Sequence, residues 1–120
     1  MNNKKILICD DDEGILDMLG LILEETGYDI VTEQNSLNVN QLIEIESPDL
    51  IILDLWMPVL SGDQVLRGLR KNPNTENLPV IVISASRDGQ VIAEQAGASD
   101  YLAKPFDFDE LIDKIKSQLN

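Results

Sequence analysis

The stretch that decides the fold is residues 48–58, PDLIILDLWMP. Four aliphatic residues at positions 50–53 run without interruption between two prolines that favour turns. A short continuous apolar run of this kind is typical of a strand that is buried on both faces of a parallel sheet. Asp54 follows where this strand leaves the core, and in open α/β sheets ligands gather at the carboxyl ends of the strands. The sequence therefore predicts that the functional site surrounds Asp54.

Apolar runs and amphipathic segments alternate along the rest of the chain. The runs predict five strands, at residues 5–9, 29–33, 50–53, 80–83 and 100–103, of which the second is short with polar flanks and suits an outer strand. Helical spacing of apolar residues predicts five helices: one ended by Gly27, one ended near Pro48, one opened by Gly62, and two at 90–96 and 107–119. This alternation indicates an α/β fold with a doubly wound parallel sheet.

Composition limits the classes of function. A chain of 120 residues with 43% hydrophobic residues is large enough for one domain with a buried core. The net charge of −13 repels nucleic acid backbones and favours metal cations and basic partner surfaces. The chain has no histidine, so it can supply neither a histidine general base nor a phosphohistidine. No apolar run approaches about 18 residues, so we expect no membrane span and no signal peptide.

Polar side chains follow four of the predicted strands. They are Asp10 and Asp11 after the first, Asp54 after the third, Ser84 after the fourth and Lys104 after the fifth. Because right-handed crossovers keep the strands parallel, these residues should meet at one edge of the sheet. Clustered carboxylates repel each other unless a cation intervenes, and Mg²⁺ commonly takes one or two carboxylates and keeps several waters. The joint pattern predicts a magnesium site beside a hydroxyl and an ammonium group.

Each of these residues taken alone has a more ordinary explanation. An acidic run after a strand commonly supplies a helix N-cap, here Asp12, and a favourable charge in the first turn. A single aspartate at a strand end is commonly a turn residue, and a lone serine or Lys-Pro pair is usually part of a loop. The prediction therefore depends on the four strand ends considered together.

Four stretches carry a more specific pattern. They are residues 6–12 (ILICDDD), 54–58 (DLWMP) with Ser61-Gly62, 82–85 (VISA) and 96–106 (AGASDYLAKPF). Together they resemble the receiver domain of two-component response regulators, across essentially the full length of the chain. The resemblance implies a flavodoxin-like fold with strand order 2-1-3-4-5, and a single receiver domain over residues 1–120.

The resemblance also implies a role for each residue of the site. Asp54 would be the phosphoacceptor, attacking the phosphorus of a phosphohistidine on a partner protein. Asp10, Asp11, Asp54 and the backbone carbonyl of Trp56 would hold Mg²⁺ or Mn²⁺. Lys104 would pair with Asp54 and then with a phosphoryl oxygen. The chain would catalyse its own phosphorylation and dephosphorylation without being a turnover enzyme on an external substrate.

A switch and a set of partners are implied in the same way. Ser84 would hydrogen-bond the phosphoryl group, and Tyr101 would turn inward into the space that Ser84 leaves. The bond between Lys104 and Pro105 would be cis, which is realistic only before proline. A sensor histidine kinase or a histidine phosphotransfer protein would supply the phosphoryl group in the cytoplasm. A downstream protein would bind the face formed by helix four, strand five and helix five, with no nucleic acid or membrane binding by this domain.

Two features of the sequence bear on how such a switch would behave. The interval from Ser84 to Gly97 is 13 positions, shorter than the family pattern, so we expect a short helix four or a short loop before it. Trp56 and Ser86 occupy two positions that often tune dephosphorylation in this family. The indole of Trp56 either obstructs the attacking water, which would lengthen the life of the phosphoryl group, or merely lies over the loop.

Other classes of protein fit the pattern less well. A phosphatase of the haloacid dehalogenase kind would need a second aspartate at position 56, where this chain has Trp56. A receiver that no longer accepts a phosphoryl group would act as a fixed interaction module, although every expected site residue is present. A nucleotide-binding flavodoxin-like module would need a Gly-rich phosphate loop after the first strand. The chain is compatible both with a stand-alone regulator and with the receiver of a hybrid kinase or a transcription factor.

Overall fold

One five-stranded parallel sheet forms the centre of the protein in a computed structural model that describes residues 3–119. The strands are β1 (Lys5–Cys9), β2 (Asp29–Glu33), β3 (Leu50–Asp54), β4 (Val80–Ser84) and β5 (Asp100–Ala103). The helices are α1 (Glu13–Glu25), α2 (Val39–Glu46), α3 (Gly62–Lys71), α4 (Gly89–Ala96) and α5 (Phe108–Leu119), with a 3₁₀ turn at Ser36–Asn38. The spatial order β2-β1-β3-β4-β5 confirms the predicted doubly wound, flavodoxin-like α/β fold.

Alternate residues of the central strands point into two hydrophobic cores on opposite faces of the sheet. On one face, residues such as Leu7, Ile51 and Val82 pack beneath α2, α3 and α4. On the other face, residues such as Ile6 and Ile52 pack beneath α1 and α5. Every residue of β3 and β4 is buried, as expected for strands that are covered on both faces. The outer position predicted for β2 is confirmed, and this strand is only partly buried.

Two strands are one residue longer than predicted. β3 includes Asp54 and β4 includes Ser84, and both residues pair with the next strand. The prediction ended each strand at its last apolar residue, but the ladder of backbone hydrogen bonds does not depend on side-chain polarity. As a result, both Asp54 and Ser84 belong to the sheet itself. The boundaries of α4, which begins at Gly89, and of α5, which begins at Phe108, also differ from the prediction by one residue.

The helix ends follow the local signals in the sequence. Asp12 caps α1, accepting hydrogen bonds from the backbone N–H groups of Gly14 and Ile15, which confirms the predicted cap. α2 ends at Glu46 and is followed by Ser47, whose φ of 47° is left-handed and which precedes Pro48. α4 has only eight residues, in agreement with the short interval noted above. Among the described helices, none combines the length and apolar composition that a membrane crossing requires.

Candidate functional site

The sheet brings three carboxylates together at its carboxyl edge. β1 and β3 are neighbours, with Cys9 opposite Leu53, so Asp10 and Asp54 follow adjacent strands at nearly the same height. Oxygen atoms of Asp10, Asp11 and Asp54 all lie within 4.8 Å of one another. Asp10 is fully buried and Asp54 is 5% exposed, whereas Asp11 is open to solvent. The predicted convergence of these residues is confirmed in position.

Lys104 is the cation of this cluster. Its backbone N–H donates to the carbonyl of Ser84 at 2.8 Å, which fixes the chain just after β5. Its Nζ lies 3.0 Å from Oδ2 of Asp10 and 3.4 Å from Oδ1 of Asp54. The peptide bond between Lys104 and Pro105 is cis, as the resemblance implied. Of the two carboxylates, Asp10 has the shorter contact with the lysine.

The electrostatics of the cluster are unfavourable for a charged Asp54. Burial, and next the negative charge of Asp10, raise the pKa of Asp54 from 3.8 to about 7, against the opposing effect of Lys104. Burial by itself would lower the pKa of Lys104, but hydrogen bonds and charge from Asp10 and Asp54 outweigh it and raise that pKa. One lysine therefore does not neutralise the site.

The donor set suits a hard divalent cation. Three carboxylates whose oxygens approach within 4.8 Å leave a concentrated negative charge beside a single ammonium group. Oxygen ligands of this kind are the ones that Mg²⁺ prefers, and a Mg²⁺ site commonly uses only one or two protein carboxylates. Asp10, Asp11 and Asp54 therefore fit a magnesium ion by the chemistry of their donors.

A close backbone approach shapes the segment after β3. The backbone N–H of Gly62 donates to the carbonyl of Leu55 at 2.7 Å, which draws the start of α3 against the end of β3. A Cβ atom at position 62 would overlap the carbonyl oxygen of Asp54. Glycine is required here because backbone lies against backbone. From the sequence, Gly62 was expected to open a helix and was part of the stretch that resembles the family, but this backbone contact was not predicted.

Ser84, the last residue of β4, is hydrogen-bonded to Ser86, Tyr101 and Lys104. Its side chain is fully buried at the end of β4, and its Oγ accepts a hydrogen bond from the backbone N–H of Ser86 at 3.0 Å. Its carbonyl accepts from the backbone N–H of Lys104 at 2.8 Å and from Oη of Tyr101 at 3.3 Å. The structure therefore brings together Ser84 and Tyr101, the two residues predicted to form the switch.

Two further residues lie close in sequence or in contact with the carboxylate cluster. Trp56 follows the last residue of β3 by two positions and is 50% exposed. Gln34 donates from Nε2 to the backbone carbonyl of Asp11 at 3.1 Å, which ties the segment after β2 to the acidic run. The sequence analysis missed Gln34, because no local pattern relates residues 23 positions apart.

The fold and this edge of the sheet define a class of protein: a doubly wound, flavodoxin-like α/β domain with a cluster of carboxylates at the topological switch point. Comparison with known proteins specifies the family. The family model "Response regulator receiver domain" matches residues 6–116, so the chain belongs to the receiver domains of response regulators, the signalling domains of two-component systems. This confirms the resemblance read from the sequence.

The matching relatives include a protein of similar length and proteins about twice as long. It is 36% identical to sporulation initiation phosphotransferase F of Bacillus subtilis, with 99% of this chain and 96% of that protein covered. It is 35% identical to the phosphate regulon transcriptional regulatory protein PhoB of Pseudomonas aeruginosa, with 99% of this chain but 53% of that protein covered. The chain spans about half the length of the three transcriptional regulators that it matches at 35–36% identity.

Solved structures agree with the sequence relatives. The crystal structure of a putative response regulator from Chloroflexus aurantiacus superposes with a TM-score of 0.94 at 32% identity, and each chain is 98% covered. A Francisella response regulator receiver domain superposes with a TM-score of 0.88 at 35% identity, with 98% of this chain and 97% of the other covered. Both similarities extend over the whole described sheet and its helices.

Proposed function

We propose that this chain is a phosphoacceptor receiver, in which Asp54 takes a phosphoryl group from a phosphohistidine on a sensor histidine kinase or a histidine phosphotransfer protein. The chain has no histidine, so the donor must be another molecule. We further propose that residues 1–120 form one receiver domain and that it works in the cytoplasm. In this proposal the chain promotes its own phosphorylation and dephosphorylation and does not turn over an external substrate.

One observation carries the proposal: the two buried carboxylates of the site differ in how they are held. Both oxygens of Asp10 accept hydrogen bonds, Oδ1 from the backbone N–H of Asp12 at 2.9 Å and Oδ2 from Lys104 at 3.0 Å. Asp54 accepts one side-chain hydrogen bond among the described residues, at 3.4 Å from Lys104 to Oδ1. The side chain of Asp54 is 7% exposed and that of Asp10 is 0% exposed. Asp54 is therefore the better nucleophile.

The transfer exchanges one bond to phosphorus for another. An oxygen of ionised Asp54 attacks the phosphorus, a P–O bond forms, the P–N bond to the donor histidine breaks, and its electron pair stays on the imidazole, which takes up a proton. Such transfers have loose transition states, so catalysis depends on position and on charge stabilisation. A carboxylate nucleophile gives an aspartyl phosphate.

The other residues of the site stabilise the charge that develops. Asp10, Asp11, Asp54 and the backbone carbonyl of Trp56 would hold Mg²⁺ or Mn²⁺. Such an ion would neutralise the carboxylates and the phosphoryl oxygens. Lys104 moves its Nζ from the carboxylate to a phosphoryl oxygen, a charge-assisted hydrogen bond.

Ser84 and Tyr101 would carry the change to the surface. The Ser84 hydroxyl donates a hydrogen bond to the phosphoryl group. Tyr101 shifts between an outward position and the inward one, in which its Oη lies 3.3 Å from the Ser84 carbonyl. The face formed by α4, β5 and α5 would then bind a downstream protein. Neither nucleic acid nor membrane binding is proposed for this domain, since its net charge is −13.

Intact-protein mass after incubation with acetyl phosphate tests the proposal. We expect a gain of about 80 Da, one phosphoryl group, that requires both Mg²⁺ and Asp54. The test variant is Asp54→Asn, and the control is Asp49→Asn. Asp49 precedes β3 at the opposite edge of the sheet, where it accepts a hydrogen bond from the backbone N–H of Lys5 at 2.8 Å. Asparagine keeps that acceptor oxygen, so the control should be labelled like the unmodified protein. Stable labelling of Asp54→Asn would contradict the assignment.

A further inference from the structure

The first residue of α4 lies directly against the pair formed by Ser84 and Tyr101. Gly89 is buried, and its backbone N–H donates to the carbonyl of Ser86 at 3.3 Å. A Cβ atom at position 89 would lie 2.6 Å from Oη of Tyr101, 2.9 Å from Oγ of Ser84 and 3.0 Å from Cβ of Ser84. Carbon and oxygen atoms that are not bonded do not approach this closely, since attraction is optimal at about 3.5–4.0 Å. The Tyr101 side chain can therefore lie inward, with its hydroxyl near the Ser84 carbonyl, only because residue 89 has no Cβ.

α4 cannot easily retreat to make room for a larger residue. At its other end, Gly97 has a φ of 101°, and its carbonyl accepts a hydrogen bond from Nε of Arg70 at 2.8 Å. The guanidinium of Arg70 also donates to the carbonyl of Leu78 at 2.7 Å, which joins α3, the segment before β4 and the end of α4. Ala93 and Ala96, on the inner face of α4, are buried against the sheet. The eight-residue helix is therefore held along its inner face and at its C-terminal end.

The two residues that a Cβ at position 89 would meet, Ser84 and Tyr101, differ in how readily they can move. Ser84 is a fully buried residue of β4 whose carbonyl is hydrogen-bonded to the backbone of Lys104, so it is fixed by the sheet. Oη of Tyr101 is the far end of a half-buried side chain with two free torsions, on an outer strand. When a Cβ at position 89 fills this space, the Tyr101 side chain moves away and Ser84 stays in place.

We propose that Gly89 is a positioning residue: it leaves the space in which Tyr101 lies inward with its hydroxyl on the Ser84 carbonyl, and it thereby sets the balance between the two positions of the tyrosine. Only the description of Tyr101 and Ser84 as a switch rests on the proposed function. The contact between residue 89 and Tyr101 exists in the protein whether or not Asp54 accepts a phosphoryl group. A β-carbon at position 89 disfavours the inward position.

Nitration of tyrosine by tetranitromethane, followed by peptide mass spectrometry, tests this proposal without any phosphodonor. Tyr28 packs on the other core and serves as the internal reference. In Gly89→Ala, nitration of Tyr101 relative to Tyr28 should rise by about fivefold, the change in population that follows from loss of one hydrogen bond worth about 1 kcal/mol. Gly68→Ala is the matched control, because it is also a helical glycine and a Cβ there meets nothing within 4 Å. Unchanged relative nitration of Tyr101 in folded Gly89→Ala would overturn the proposal.

A double-mutant cycle covers the case in which Gly89→Ala folds poorly. Tyr101→Phe removes Oη, the atom nearest to the added methyl group, while keeping the ring. Gly89→Ala should therefore lower the thermal midpoint less in the Tyr101→Phe background than in the unmodified protein. An equal loss in both backgrounds would overturn the proposal. Labelling with acetyl phosphate is a separate result: failure in every variant would count against Asp54 as acceptor and would leave the nitration result standing.

Discussion

Removing the charge of Asp54 should stabilise the metal-free protein. The perturbation is Asp54→Asn, which replaces a buried carboxylate with a neutral group of the same shape. Burial and the neighbouring charge of Asp10 raise the pKa of Asp54 from 3.8 to about 7, so the fold favours the neutral form. Above this range the carboxylate is ionised in both the folded and the unfolded chain, and its burial costs the folded state free energy that the amide does not.

The size of the effect follows from the pKa. A difference of about 3 in pKa, at about 1.4 kcal/mol per pKa unit, corresponds to about 4 kcal/mol in the free energy of unfolding. Relaxation of the site and water entry reduce this, so we expect a gain of about 2–4 kcal/mol in Asp54→Asn. For a domain of this size the gain corresponds to a rise of about 10 °C in the thermal midpoint.

The dependence on pH identifies the cause. The folded pKa lies above the unfolded one, so the stability contributed by Asp54 is complete below about pH 4 and is lost as the pH rises to about 7. The advantage of Asp54→Asn should therefore be small at about pH 4, grow up to about pH 7 and then level off. Urea unfolding followed by far-UV circular dichroism, in EDTA and across this range, measures it. Asp49→Asn, which removes a carboxylate at the opposite edge of the sheet, is the control. An advantage for Asp54→Asn that is absent, or equal at all pH values, would refute this account.

Three further outcomes follow from the same cluster. Mg²⁺ at about 100 times its dissociation constant should raise the stability of the unmodified protein by about 3 kcal/mol, and Asp10→Asn should lose most of that gain, as measured by thermal unfolding with and without EDTA. Lys104→Met should lower the free energy of unfolding by on the order of 2–3 kcal/mol, below the usual cost of breaking a fully buried pair because the lysine side chain is 20% exposed. Asp54→Asn should stabilise the Lys104→Met variant by more than it stabilises the unmodified protein in a urea titration, and a fully additive double variant would argue against the pairing. Trp56→Ala should shorten the life of the aspartyl phosphate if the indole obstructs water, and an unchanged decay of the mass-labelled species would favour an indole that only covers the loop.

Local signals were enough to predict the sheet and the residues at its edge. The strand that ends at Asp54 could be recognised because four aliphatic residues between turn signals fit few other structures. The convergence of Asp10, Asp54 and Lys104 then followed from the parallel arrangement of the strands, since parallel strands present their carboxyl ends together; the strand order itself was implied only by the family resemblance. The same logic placed Ser84 beside them. These predictions depended on periodicity and topology, which a single sequence carries.

What the sequence could not predict are contacts between surfaces that meet only after folding. Gly62 against the Asp54 carbonyl, Gln34 on the Asp11 carbonyl and Gly89 against Tyr101 each join elements that are far apart or differently oriented. A glycine in a helix gives no local indication of what a Cβ there would meet. The sequence also could not predict that Asp10, rather than Asp54, has both carboxylate oxygens hydrogen-bonded. This difference depends on the position of the Lys104 ammonium group in the folded protein.

The side chain and the backbone carbonyl of Ser84 hydrogen-bond to different residues, which bears on how the proposed switch could work. Its Oγ accepts a hydrogen bond from the Ser86 backbone, whereas its carbonyl holds the Lys104 backbone and the Tyr101 hydroxyl. Rotation of the hydroxyl toward a phosphoryl group breaks only the first of these bonds and leaves the carbonyl in place. The N–H of Ser86 belongs to the short loop that leads to Gly89, the residue at which a Cβ would meet Oη of Tyr101. In the proposed switch, movement of Ser84 would therefore reach Tyr101 through the loop before α4 rather than through the strand.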